Sequence, residues 1–163
     1  MRKASAVLGS LVFLVIAPGT LAGYLPWSIS GYRLAPASPE ALALRVPGGL
    51  LIAGGLVFLL DSFARFALKG LGTPAPIAPP RRLVVSGYYR YVRNPMYVAV
   101  LALVLGQALV FESLPLLAYA IILWLGFHMF VAGYEEPVLR ASFGEEYASY
   151  CAHVPRWMPR LRG

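Results

Sequence analysis

The chain has 163 residues, of which 59% are hydrophobic and only 13% charged, about half the charged share of an ordinary soluble domain. So little charge cannot cover the apolar surface in water, which argues against a soluble globular protein. The formal net charge of +7 comes from arginines and lysines placed just outside apolar stretches, the habit of a membrane protein rather than of a nucleic-acid binder, and the lone Cys151 excludes an intramolecular disulfide and a multi-cysteine metal site.

Four apolar stretches follow one another: Ala4 to Tyr24 behind the basic pair Arg2-Lys3, Val46 to Leu68, Met96 to Phe111, and Leu116 to Gly133. A helix needs ~17–25 residues to cross the hydrocarbon core. The first two stretches meet this length, and the last two are near its lower limit. The last two read as a helical hairpin turned at Glu112-Ser113-Leu114-Pro115. The first stretch has the flanks of a signal peptide, but no small-x-small cleavage site follows it, so a retained helix is expected. Between the second and third stretches, Gly70 to Pro80 holds four prolines and predicts an extended connection. After the fourth, Glu135-Glu136-Pro137 opens a new segment in which Leu139, Phe143, Tyr147 and Tyr150 recur at helical spacing, one apolar face of an amphipathic helix. With the N-terminus inside, eleven lysines and arginines lie in cytoplasmic segments, Arg33 and Arg45 lie outside, and Arg65 sits near the inner end of the second helix. This bias predicts a multi-pass protein of the cell membrane with both termini cytoplasmic. The expected fold is thus a single all-α membrane domain: about four transmembrane helices and a cytoplasmic amphipathic C-terminal helix.

Chemistry-bearing residues concentrate in Leu83 to Tyr97, which sets two arginines, four tyrosines and Asn94-Pro95 at the mouth of the third helix. Tyrosine and arginine anchor helices at headgroup depth, but a proline in the first turn and an asparagine in the N-cap position aim the polar groups at one point. Glu135-Glu136 is either an acidic first turn, favoured by the helix dipole, or a pair awaiting a cation. His128 stands seven residues before Glu135, about 20° off a common face on a straight helix, so the two could line one cavity; a helix-packing histidine is the alternative. Asp61 and Arg65 have the spacing of an ion pair. His128 and His153 lack ligand spacing with Cys or carboxylates, and no metal is expected.

The pattern Leu83-Val84-Val85-Ser86-Gly87-Tyr88-Tyr89, then Arg93-Asn94-Pro95-Met96-Tyr97, a hairpin, Glu135-Glu136, Phe143-Gly144-Glu145-Glu146-Tyr147 and Val154-Pro155 resembles the isoprenylcysteine carboxyl methyltransferase family and its phospholipid methyltransferase relatives. The likeness runs from about Gly70 to Arg160. It implies methyl transfer from S-adenosylmethionine to a lipid-like acceptor, on the cytoplasmic face and among membrane lipids, with no nucleic-acid partner. By that resemblance Arg81, Arg82, Leu83, Val84 and Tyr89 line the cofactor, Asn94, Pro95, Met96 and Tyr97 stand where the family has His-Pro-x-Tyr, and Glu135 matches the acid that holds the cofactor. Two departures matter. Asn94 replaces a histidine and cannot titrate. Phe130 and Val131 occupy the neighbourhood where members acting on prenylcysteine carry an arginine, so a substrate carboxylate loses its expected partner; His128 and Arg156 are the candidates to contact the acceptor instead. An NADPH-dependent membrane reductase, with Arg81 and Arg82 receiving a 2′-phosphate, and a non-enzymatic small membrane protein are the competing readings.

Overall fold

The computed structural model describes residues 3–70 and 82–159, with residues 3–6, 69 and 70 described by their backbone alone. Arg81 and most of the proline-rich connection lie outside the described residues, which are helical without any strand. In chain order they form α1 (Lys3–Gly19), α2 (Leu25–Ser30), α3 (Pro39–Arg65), α4 (Pro95–Val110), α5 (Leu114–Phe130) and α6 (Glu136–His153), with a short 3-10 turn at Gly87–Arg90. Among the described residues, three continuous helical runs are long and apolar enough to cross a membrane: Val7–Ser30, Pro39–Leu68 and Leu114–His153. At 16 residues α4 is shorter and rises roughly 24 Å, somewhat less than the hydrocarbon thickness. Leu8, Val15, Ile16, Leu50, Ile122 and Met129 are all exposed, an arrangement that only an apolar surround makes favourable.

Helix starts follow capping chemistry rather than hydropathy. The second span begins at Pro39, seven residues before the apolar run suggested, because Ser38 Oγ accepts the Ala41 N–H (3.1 Å) and Pro39 and Glu40 occupy the first turn. Ser113 caps α5 in the same way through the Leu116 N–H (3.4 Å).

Two helices run on where a break was expected, and both do so through a π-helical turn placed just before a proline. Thr20–Tyr24 joins α1 to α2 ahead of Pro26, and Val131–Glu135 joins α5 to α6 ahead of Pro137. A proline inside a helix has no N–H to donate, and its ring collides with the carbonyl four residues back. The wider π-turn relieves the collision, and other groups then take up the freed oxygens. Ala22 O, left without a Pro26 N–H, accepts from Gln107 Nε2 (2.8 Å). Leu21 O accepts from Tyr119 (2.9 Å) and Gly23 O from Tyr32 (3.0 Å). The Gln107 and Tyr119 bonds tie the first span to α4 and α5, and the Tyr32 bond folds the turn after α2 back onto it.

The core is built around the α3–α4 crossing, with Leu59, Phe63, Val100, Leu103 and Val104 meeting Ala120 and Leu123 of α5. Backbones touch at Gly48 and Gly106: a Cβ at Gly48 would lie 2.7 Å from Gly106 O, and one at Gly106 would lie 2.6 Å from Gly48 O. Both partners are backbone and neither can swing aside, so the small residues let the helices approach closely. Gly106→Leu should therefore push α4 off α3 and lower the thermal unfolding midpoint in detergent, by an amount equivalent to roughly 1–3 kcal/mol or more. An unchanged midpoint would show that the crossing is looser than this geometry.

Candidate functional site

The segment from Leu83 to Asn94 reaches α4 as extended chain broken by the 3-10 turn, and it is held down from above by α6 and the tail that follows. Tyr150 donates to Tyr89 O (2.6 Å), the Arg93 N–H donates to Pro155 O (2.9 Å), and Asn94 Nδ2 donates to Arg156 O (3.2 Å). Asn94 occupies the N-cap position of α4, but its side chain makes no cap bond, having been drawn to the tail instead. The clamp is completed by Glu136, only 6% exposed. Its carboxylate takes Arg156 through two bonds, Nε–Oε1 at 2.7 Å and Nη2–Oε2 at 3.0 Å, and Arg93 Nη1 at 3.2 Å. The paired carboxylate holds the Arg156 guanidinium pKa above its ordinary value.

Beneath this clamp lies a cavity of about 400 Å³, within the size range of small-molecule sites. Its polar end is formed by Arg93, Asn94, Tyr97 and Glu135, with Tyr89, Tyr147 and Tyr150 around them; Leu83, Val84, Pro95 and Met96 complete that end. Its other end is apolar, with Phe13, Ala17 and Leu21 of the first span, Phe63 of α3, Val100 of α4 and Phe127 of α5. Burial raises the Tyr89 hydroxyl pKa well above the usual tyrosine range, so it stays neutral. Tyr97 donates to Glu135 Oε2 (2.9 Å). No lysine or arginine pairs with Glu135 among the described residues, whereas its neighbour Glu136 holds two arginines. Arg93 Nε is buried with no partner among them. The cavity thus sets a half-buried carboxylate, without a cation among the described residues, on the same wall as the Arg93 guanidinium.

Of the residues singled out in the sequence, Leu83, Val84, Tyr89, Asn94, Pro95, Met96, Tyr97 and Glu135 are brought together on the wall of this one cavity. Arg82 is exposed and is not part of the wall. Arg156 is engaged by Glu136 rather than lining the cavity. His128 also stands off the wall: Trp157 Nε1 donates to its Nδ1 (3.2 Å), and Trp124 packs against its ring (5.6 Å). The straight-helix argument that set His128 and Glu135 on one face fails because the π-turn between them winds more residues into its turn. Asp61 and Arg65 do pair, at 2.7 Å, outside the cavity wall. Three contributors escaped the sequence reading. Arg93 sits inside the motif, but the basic pair Arg81-Arg82 took its place. Trp157 lies 6.4 Å from Tyr97, edge to face, and comes from the far end of the chain. The first span, Val7–Ser30, carries no charged residue to mark it.

The sequence matches the phospholipid methyltransferase family over residues 44–146, a stretch that takes in the whole Leu83–Tyr97 segment and Glu135. The chain belongs to that family. The chain is also similar to a protein-S-isoprenylcysteine O-methyltransferase of Schizosaccharomyces pombe, with 36% identity over 80 residues that cover 48% of this chain and 34% of the relative. The chain spans about a third of that relative's length. For this phospholipid methyltransferase family member most of the polar end of the cavity falls inside the family match, while α1, Tyr147, Tyr150 and the tail carrying Trp157 fall outside it.

Proposed function

We propose that the protein transfers a methyl group from S-adenosylmethionine to a lipid-like acceptor at the cytoplasmic face of the cell membrane. The observation that carries this reading is the placement, on one cavity wall of a phospholipid methyltransferase family member, of Glu135, which has no cation among the described residues, together with the Arg93 guanidinium. The cofactor's amino-acid end has an ammonium and a carboxylate, and these two side chains fit them as charge-assisted partners. Tyr89 and Tyr97 offer ring faces suited to the adenine and the sulfonium. When bound, S-adenosylmethionine supplies a methyl group on a sulfonium that leaves readily.

The residues themselves then have three tasks. Glu135 and Arg93 fix one end of the cofactor, and Tyr97 holds the Glu135 carboxylate in place. The apolar end keeps water away and aligns the acceptor, the main requirement for a displacement whose leaving group is already good. Asn94 can hydrogen-bond but cannot accept a proton, so no proton transfer is assigned to it. The excess of basic residues in the segments assigned to the inside supports a cytoplasmic site.

The test uses purified protein in nanodiscs made from total lipid extract, supplied with methyl-labelled S-adenosylmethionine. Label should enter the organic phase and should be displaced by S-adenosylhomocysteine. Failure of either compound to bind by calorimetry would remove the cofactor assignment. Binding accompanied by label that stays wholly in water-soluble products would remove the lipid-like acceptor.

A further inference from the structure

The family match begins at residue 44, yet the apolar end of the cavity is walled on one side by the first span. Phe13, Ala17 and Leu21 recur every four residues on one face of that span and all reach the cavity. Val12, Val15 and Ile16 on the other side are exposed, while Pro18 joins the cavity wall and Leu14 and Ala22 pack against the core, so one side of the helix looks inward. Contacts with other helices fix its two ends. Phe13 stacks on Phe63 of α3 (6.3 Å), and the backbone of Leu21 is held by Tyr119 of α5 (2.9 Å). Between them stands Ala17, whose side chain is a single methyl.

Register along the helices orders these residues. On α4 the polar mouth is at Asn94, and the deepest lining residue is Val100, roughly 9 Å further along the axis. Phe13 to Leu21 spans roughly 12 Å of the same dimension. The register therefore puts Leu21 and Val100 toward the far end of the cavity, and the small residue 17 leaves room in front of them.

We propose that α1 gauges the hydrocarbon portion of the acceptor: the chain lies along Ala17, and Leu21 is its stop. This rests on the methyl-transfer reading for what the acceptor is, but not for whether a chain binds there. A homologous series of n-alkyl groups is then discriminated by length, since each methylene that fits is removed from solvent and each one beyond Leu21 meets the end wall.

The experiment is photolabelling of the protein in nanodiscs with a long-chain n-alkyl alcohol carrying a terminal diazirine, competed by unlabelled n-alkyl alcohols of graded length. Saturable labelling should map between Phe13 and Leu21, and competition should strengthen with length up to a cut-off. Ala17→Phe displaces about two methylenes and should weaken the longest competitors roughly tenfold, with the cut-off moved to shorter chains. Leu21→Ala should move it to longer ones. S-adenosylhomocysteine affinity, read by calorimetry on each variant, should be retained and reports that the polar end is intact. If Ala17→Phe does not fold, Ala17→Val and Leu21→Ala still carry the comparison. Saturable labelling absent from α1, or one length profile shared by wild type and the variants, would overturn the gauge. Loss of cofactor binding in the wild type, with α1 still labelled in a length-dependent way, would sink the methyl-transfer reading alone.

Discussion

Glu136→Ala is expected to be the most damaging single change in the polar region. The carboxylate is buried and serves two guanidiniums, Arg156 in a two-bond contact and Arg93 at 3.2 Å. Removing it leaves two positive charges facing each other at low exposure, and breaking a buried pair in this way costs about 3–5 kcal/mol. The consequence spreads beyond stability. Arg93 also holds Pro155 through its backbone, and Asn94 holds Arg156, so the tail should lift from the Leu83–Asn94 segment and free Tyr89 and Trp157 to move. The measurement is the thermal midpoint in detergent together with limited proteolysis of the tail: both should change in Glu136→Ala, and Glu136→Gln should fall between it and wild type. A midpoint unaltered by either substitution would show that the tail is held by its backbone contacts alone.

The neighbouring acid should behave in the opposite way. Glu135→Gln is expected to weaken S-adenosylhomocysteine binding by roughly 10- to 100-fold, the equivalent of a charge-assisted hydrogen bond worth about 1.5–3 kcal/mol, while leaving the thermal midpoint near that of wild type. The reason lies in the partners. Glu135 has only the Tyr97 hydroxyl (2.9 Å) and no cation among the described residues, so it contributes little to the fold, and glutamine can still accept from Tyr97. Tyr97→Phe should give a smaller loss of affinity, since the carboxylate remains but is less firmly placed. Calorimetry on the three proteins gives the order directly. Equal affinity in wild type and Glu135→Gln would take this residue out of the cofactor site and turn attention to Arg93.

The different fates of Glu135 and Glu136 show where reading the chain stops. Both acids are visible as a pair, and their position after an apolar run marks them as unusual. Which one meets arginine and which faces the cavity depends on how far the helix has rotated by that point, and that rotation is set by the π-turn at Val131–Glu135. The turn is a response to Pro137, whose missing N–H is plain in the sequence, but the helix had two ways to meet it: to end or to widen. Packing of α6 against the Leu83–Asn94 segment accompanies the second. The same uncertainty left His128 open between the cavity and a packing role.

What the sequence determined by itself was whatever depends on composition and local chemistry. Its apolar runs make an all-helical membrane protein. Ser38 and Ser113 start helices because a hydroxyl before an open turn satisfies a stranded N–H. The order of the Leu83–Tyr97 motif and the acid pair marks the family. What only the tertiary structure decided was which of these residues share a space. Arg93 rather than Arg82 reaches the cavity, Trp157 is seated beside Tyr97, and the featureless stripe Phe13, Ala17, Leu21 becomes a wall. Such pairings join residues tens of positions apart, and they are fixed by close helix crossings such as Gly48 against Gly106. Whether a side chain meets a distant partner depends on helix rotation and depth, and a one-dimensional pattern does not carry either quantity across a π-turn or a loop.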